Sequence, residues 1–235
     1  MVRQSVCDQN GDATLLISVA QQLKQPLTIL RRYAELAQID PSALTPELVR
    51  AQSKAALTLL DNYMFGLTLL AQQQELPLEP VSVASSLVDT AHAVRDFARH
   101  YGVSVDIAVD GRYEPVMAHR QALSAALSSL GLALVEGIAA QQKRRQMTLS
   151  VHKNARGIVA GLYGLSDLTA AEWRQALALR GRATQPIQTM AGSGAGVFVA
   201  AALAQAMDAQ VRVSKHKKEM GLAITLQPSQ QLQLV

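Results

Sequence analysis

Residues 20–28 read Ala20-Gln21-Gln22-Leu23-Lys24-Gln25-Pro26-Leu27-Thr28 and sit inside a longer run with helical periodicity. From Ala13 to Gln38 the apolar positions Leu16, Val19, Leu23, Pro26 or Leu27, Leu30, Ala34 and Ala37 step by threes and fours, which predicts one long amphipathic helix. Pro26 should kink it, because proline lacks the N–H and crowds the preceding turn. Asp40-Pro41-Ser42-Ala43-Leu44 reads as a break. Thr45 then has the character of an N-cap, with Pro46 at the first helical position and Glu47 in the first turn. The second helix should run to about Gln74, with Leu48, Gln52, Ala55, Leu59, Asn62, Gly66 and Leu70 on one face. Two such helices leave apolar faces that they cannot cover by themselves. A second copy would complete a four-helix bundle, and the competing cover is the rest of the same chain.

On the other side of the first helix, Gln21, Gln25, Thr28 and Arg32 share a face, flanked by Lys24 and Arg31. By pattern alone this is a solvated surface. The run from Leu23 to Thr28, however, is similar to the dimerisation and phosphoacceptor motif of two-component sensor histidine kinases, close to S-H-E-L-R-T-P-L-T. The resemblance places the family's phosphoaccepting histidine at Gln21 and the acidic residue after it at Gln22. A carboxamide nitrogen has its lone pair delocalised into the carbonyl and cannot attack a phosphoryl group. Autophosphorylation by the family's route is therefore not expected.

Beyond Leu76-Pro77-Leu78-Glu79-Pro80 the pattern changes to mixed elements. A short strand leads into a helix within Val81 to Arg99, strands are expected at Val103 to Val109 and Tyr113 to Met117, and an apolar helix from His119 to Gln141. Paired strands are expected at Met147 to Val151 and Gly157 to Leu162, then a helix around Trp173 from Asp167 to Leu179. A helix from Val197 to Met207 precedes strands at Val211 to Val213 and Leu222 to Leu226. This order resembles the ATP-binding domain of the same kinases, the GHKL fold shared with gyrase B and MutL. The expected fold class is thus α+β. A dimerisation hairpin in residues 1–76 forms a dimeric four-helix bundle, followed in 77–235 by a two-layer α/β sandwich of GHKL type.

The nucleotide motifs are incomplete. Gly192-Ser193-Gly194-Ala195-Gly196 resembles the family's G-x-G-x-G box before a helix, where glycines let backbone N–H groups approach phosphate. The same small residues also permit close packing. The resemblance places Ala133 where the family's Mg2+-binding asparagine stands, with Glu136 a candidate stand-in. It places Ala160-Gly161-Leu162-Tyr163-Gly164 where the family has the adenine-binding D-x-G-x-G. No carboxylate replaces that aspartate. Catalysis, a metal and a bound cofactor are accordingly not expected, although the glycine loop leaves a nucleotide-sensing module open.

Composition sets the remaining bounds. The 235 residues are 49% hydrophobic and 4% aromatic, so an aliphatic core is expected. The single Cys7 excludes an intrachain disulfide and suits a reducing cytoplasm. The start has no apolar h-region, and no stretch offers about twenty uninterrupted apolar residues, which argues against a signal peptide and a membrane span. His92, His100, His119, His152 and His216 show no ligand spacing. Lys143-Arg144-Arg145 and Lys215-His216-Lys217-Lys218 read as turn residues; a net charge of +4 without interleaved aromatics argues against nucleic acid. The expected function is that of a non-catalytic, dimeric histidine kinase-like regulator. It would bind a response regulator receiver domain or a partner kinase through Gln21, Lys24, Gln25, Thr28, Arg31 and Arg32. An enzymatic alternative is a receiver phosphatase in which Gln25 orients water.

Overall fold

A computed structural model describes residues 20, 23–24, 26–72, 76–139, 145–165 and 194–229. Helix α1 covers residues 26–36, with Leu23 and Lys24 also helical. A 3-10 turn, Pro41–Ala43, follows, capped by the Asp40 carboxylate accepting from the Ser42 N–H. Helix α2 spans Pro46–Gln72, and the Thr45 hydroxyl accepts from the Leu48 N–H at 3.2 Å. This is the N-cap expected from Thr45-Pro46, satisfying a donor that has no carbonyl within the helix.

The remaining elements are β1 (Glu79–Val81), α3 (Val83–His100), β2 (Ser104–Ala108), β3 (Val116–Ala118), α4 (Arg120–Ala139), β4 (Gln146–Asn154), β5 (Gly157–Leu165), α5 (Gly194–Gln205), β6 (Gln210–His216) and β7 (Glu219–Leu226). Each matches a sequence expectation to within a few residues. The helix expected at Asp167 to Leu179 lies outside the described residues. Strands β1 and β3 form a small antiparallel pair. The main sheet has the order β2-β4-β5-β7-β6, with β2 parallel to β4 and every other pairing antiparallel.

Helices α3, α4 and α5 lie on one face of this sheet, with α4 between its neighbours, and α2 packs across all three. The molecule therefore has three layers where two were expected in the second module alone. Enclosure on every side accounts for α4. Its residues Leu123, Leu127, Leu130 and Leu134 have no exposed surface, and so a helix without a polar face is stable here. Helix α4 is long and apolar enough to cross a membrane by length and composition alone, yet 83% of that stretch is buried inside the protein.

The face of α2 expected to seek a partner is covered by the same chain. Leu48, Gln52, Ala55 and Leu59 are buried, and Ala55, Leu59 and Tyr63 belong to the same hydrophobic core as α3, α4, α5 and the sheet. Asn62 donates its amide to the Ala125 carbonyl and to the Ser128 and Ser129 hydroxyls of α4, at 2.9–3.2 Å. Gly66 brings α2 against α5; a Cβ there would lie 3.7 Å from Val199. Of the two covers that periodicity allows for this face, the rest of the chain is the one observed. Helical spacing specifies that a face is apolar and leaves open what buries it. Gln52 is fully buried with no partner for either end of its amide, and nothing in the structure explains it.

Candidate functional site

The surface expected to dock a partner begins with Lys24, Thr28, Arg31 and Arg32, all exposed on α1. Gln21 and Gln25, the two amides of that surface, lie outside the described residues. The Thr28 hydroxyl donates back to the Lys24 carbonyl at 2.6 Å, as hydroxyls in mid-helix often do. Arg31 pairs with Glu35 one turn on, at 2.7 Å. Both partners stand in solvent, so the pair adds little stability, yet it offsets the Arg31 charge. Lys24 and Arg32 have no ion pair among the described residues and carry the remaining positive charge of this surface. Pro26 is buried beneath it, on the side of α1 facing the protein.

The residues that the family resemblance aligns with a nucleotide site lie on the second half of α4, the end of β5 and the start of α5. Ala133 has no exposed surface and offers no ligand atom. Glu136, one turn further on, is 4% exposed, and its Oε2 has no hydrogen-bond partner. Burial pushes its carboxyl up to about 8. The hydroxyl of Tyr101, at the end of α3, is likewise buried without a partner. Burial first, and the Glu136 charge second, push it up.

Strand β5 is buried along its length, and Ala160, Gly161, Leu162 and Tyr163 place no carboxylate near this region. Leu165 at its end is fully buried and lies close to α4, where a Cβ on Gly137 would be 3.6 Å from it. Ile138, also fully buried, packs over Gly164, whose φ of 153° suits glycine. Aliphatic side chains thus occupy the ground between α4 and the end of β5.

Of the glycine box, Gly192 lies outside the described residues. Gly194 is the first residue of α5 and Gly196 is buried within its first turn. The expectation of a loop ahead of the helix is corrected for these two: the helix begins inside the box. Glycine's cost in a helix is backbone entropy, and it is offset here by the packing of α5 against α4.

Two arrangements escaped the sequence. The rings of His152 on β4 and His216 on β6 stack 5.8 Å apart, and Tyr163 lies 5.2 Å from His216 with its hydroxyl 3.2 Å from that of Ser214. Burial, then the His216 charge, hold His152 below its ordinary value. The pair joins strands sixty-odd residues apart, beyond the reach of local spacing. Among the described residues no group of three metal-ligating side chains forms. Lys217, with φ of 54°, turns β6 into β7 together with Lys218, while Lys215 and His216 of the same cluster are the last residues of β6. In the other cluster, only Arg145 falls among the described residues.

No protein-family model matches the sequence, and no curated protein matches it significantly. Solved structures do. Histidine kinase AdeS of Acinetobacter baumannii superposes with a TM-score of 0.50 over 88% of this chain and 97% of that one, at 15% identity. Full-length ShkA in complex with AMPPNP gives 0.54 at 19% identity, covering 92% of this chain and 46% of ShkA. A bacterial phosphotransferase gives 0.51 at 10% identity, over 92% and 96% of the two chains. At these identities the likeness is one of fold, and it extends over the hairpin as well as the sheet. By fold, then, the chain is histidine kinase-like, a helical hairpin joined to a GHKL-type α+β unit.

Proposed function

We propose that this protein is a non-catalytic, dimeric, cytoplasmic regulator in two-component signalling that docks a response regulator receiver domain or a partner kinase on α1. The observation that carries the reading is the contrast between the two halves. The α1 surface is exposed and cationic at Lys24 and Arg32, while the nucleotide region holds Ala133, a buried Glu136 and the apolar end of β5. The residues retained are those that bind, and those lost are the ones that position metal and phosphate. Receiver domains carry an acidic phosphoacceptor pocket, and Lys24 and Arg32 complement such a surface electrostatically.

Incubation with radiolabelled ATP and Mg2+ is expected to leave the protein unlabelled. Pull-down from a lysate containing two-component proteins is expected to enrich a receiver domain or a histidine kinase. Gln21→Ala combined with Arg32→Glu is expected to weaken that capture about tenfold or more, since it reverses one charge at the interface. Label on the protein would sink the non-catalytic reading, and capture indifferent to the double variant would sink the docking reading.

A second copy is the proposed cover for the other apolar stripe of the hairpin. Val49, Leu57, Leu60 and Met64 follow helical spacing on α2, away from its buried face, and Leu57 and Met64 are 59% and 63% exposed. Leu27 and Leu36 of α1 add further exposed apolar surface, at 58% and 45%. Patches of this kind mark association sites. Light scattering is expected to give a dimer mass for the native protein and a monomer mass for Leu60→Glu with Met64→Glu. A native monomer would remove the dimer from this proposal.

A further inference from the structure

Between α2, the link at Pro77 and Leu78, α3 and the first turns of α4 lies a cleft of about 730 Å3, within the range of small-molecule sites. It is remote from the nucleotide region. Arg120 and Glu136 stand at opposite ends of α4, about 24 Å apart along the axis at 1.5 Å per residue. No motif of the phosphotransfer machinery touches this cleft, and the inference does not rest on the regulator reading.

The chemistry of its walls selects a ligand. Glu79 is held by Arg120 at 3.1 Å, so that pair is internally balanced. Asp61 on α2 and Asp89 on α3 both line the cleft, are exposed, and make no ion pair or side-chain hydrogen bond among the described residues. His119 is engaged in capping: its Nδ1 accepts from the Ala122 N–H at 3.2 Å, and its ring lies 6.2 Å from that of Phe65. Phe65, Leu78 and Ala93 supply apolar wall. The hydroxyls of Ser86 and Ser128, buried residues that still reach the cleft, are already spent on the carbonyls of Ser82 and Ala125. Two uncompensated carboxylates on walls from two different helices thus flank an apolar middle. The chain as a whole carries +4, so its general field repels cations and attraction has to come from the cleft itself.

We infer that this cleft binds an amphipathic organic cation of the diamine or polyamine class, its ammonium groups paired with Asp61 and Asp89 and its methylene spine lying on Phe65, Leu78 and Ala93. Charge-assisted hydrogen bonds of ammonium to carboxylate supply the recognition. The occupant touches α2 on one side and α3 and α4 on the other, and so ties the hairpin to the sheet-bearing unit. Nothing is transferred or oxidised.

Calorimetry with spermidine on the full chain tests this. One molecule is expected to bind per chain, more weakly as salt rises. Affinity is expected to fall about tenfold for Asp61→Asn or Asp89→Asn and further for both together. These exposed substitutions leave the fold intact, which unchanged melting without spermidine verifies. Ala93→Trp, which fills the cleft from an exposed position, is expected to abolish binding. No heat with spermidine overturns the inference. Binding indifferent to the two asparagine variants overturns it equally, because the cation is then held elsewhere. A preference for an anion, tested with adenosine monophosphate and blocked by Ala93→Trp, refutes the assignment of charge.

Discussion

Gly221→Val is expected to leave the protein largely unfolded. Gly221 stands opposite Tyr163 in the β5–β7 ladder, and a Cβ at that position would run into the carbonyl oxygen of Leu162. Both groups belong to backbones fixed by hydrogen bonds on either side, so neither can retreat without breaking the pairing that joins the two central strands. The expected loss is about 4 kcal/mol or more, at the extreme of single substitutions and a large part of the total stability of a typical domain. Gly66→Ala provides the opposing control. Its Cβ would meet Val199 at ordinary contact distance inside α2. Alanine there is expected to raise stability by roughly 0.5–1 kcal/mol, through lower chain entropy in the unfolded state. Urea unfolding followed by circular dichroism checks both. A valine variant as stable as the native protein would contradict the ladder described above.

The second large effect is a dependence of stability on pH that runs through Glu136. Its carboxyl is raised from an ordinary 4.5 to about 8 by burial. In the unfolded chain it loses its proton above about 4.5, whereas the folded protein holds that proton until about 8. Across that window the native state binds more protons than the unfolded state, and stability falls as pH rises. The full effect above pH 8 is on the order of 5 kcal/mol for a displacement of this size. Glu136→Gln keeps the shape without the ionisation. It is expected to flatten the curve and to be more stable than the native protein at the alkaline end. Denaturant midpoints at a series of pH values measure this. Parallel curves for the two proteins would mean that Glu136 is ionised in the fold.

How far these features can be read from sequence differs with their range. The Thr45-Pro46-Glu47 cap, the alternation at Val103 to Val109 and the paired strands at Met147 to Val151 and Gly157 to Leu162 are local, and their chemistry acts within a few residues. The exposed side of α1 at Lys24, Thr28, Arg31 and Arg32 was legible for the same reason, although the Arg31–Glu35 pair changes which charges are free. The burial of α2 against α3, α4 and α5 was not, because an apolar stripe is indifferent to the identity of its cover. Gly194 and Gly196 were read as a loop, and the helix begins inside their box. The state of Glu136 depends on three layers closing around α4. The cleft unites Asp61, Asp89 and His119, which no spacing rule connects.

The layering of α2 over α4 also determines what the hairpin can be mechanically. Ala55, Leu59 and Tyr63 would enter water if α2 swung away, and α4 would lose the cover that lets it do without a polar side. The hairpin is therefore a buttress of the sheet-bearing unit, not an arm hinged to it. A protease cut in the link at residues 76–78 would not release two sound pieces. One fragment would carry a naked apolar stripe, and the other a stripped central helix.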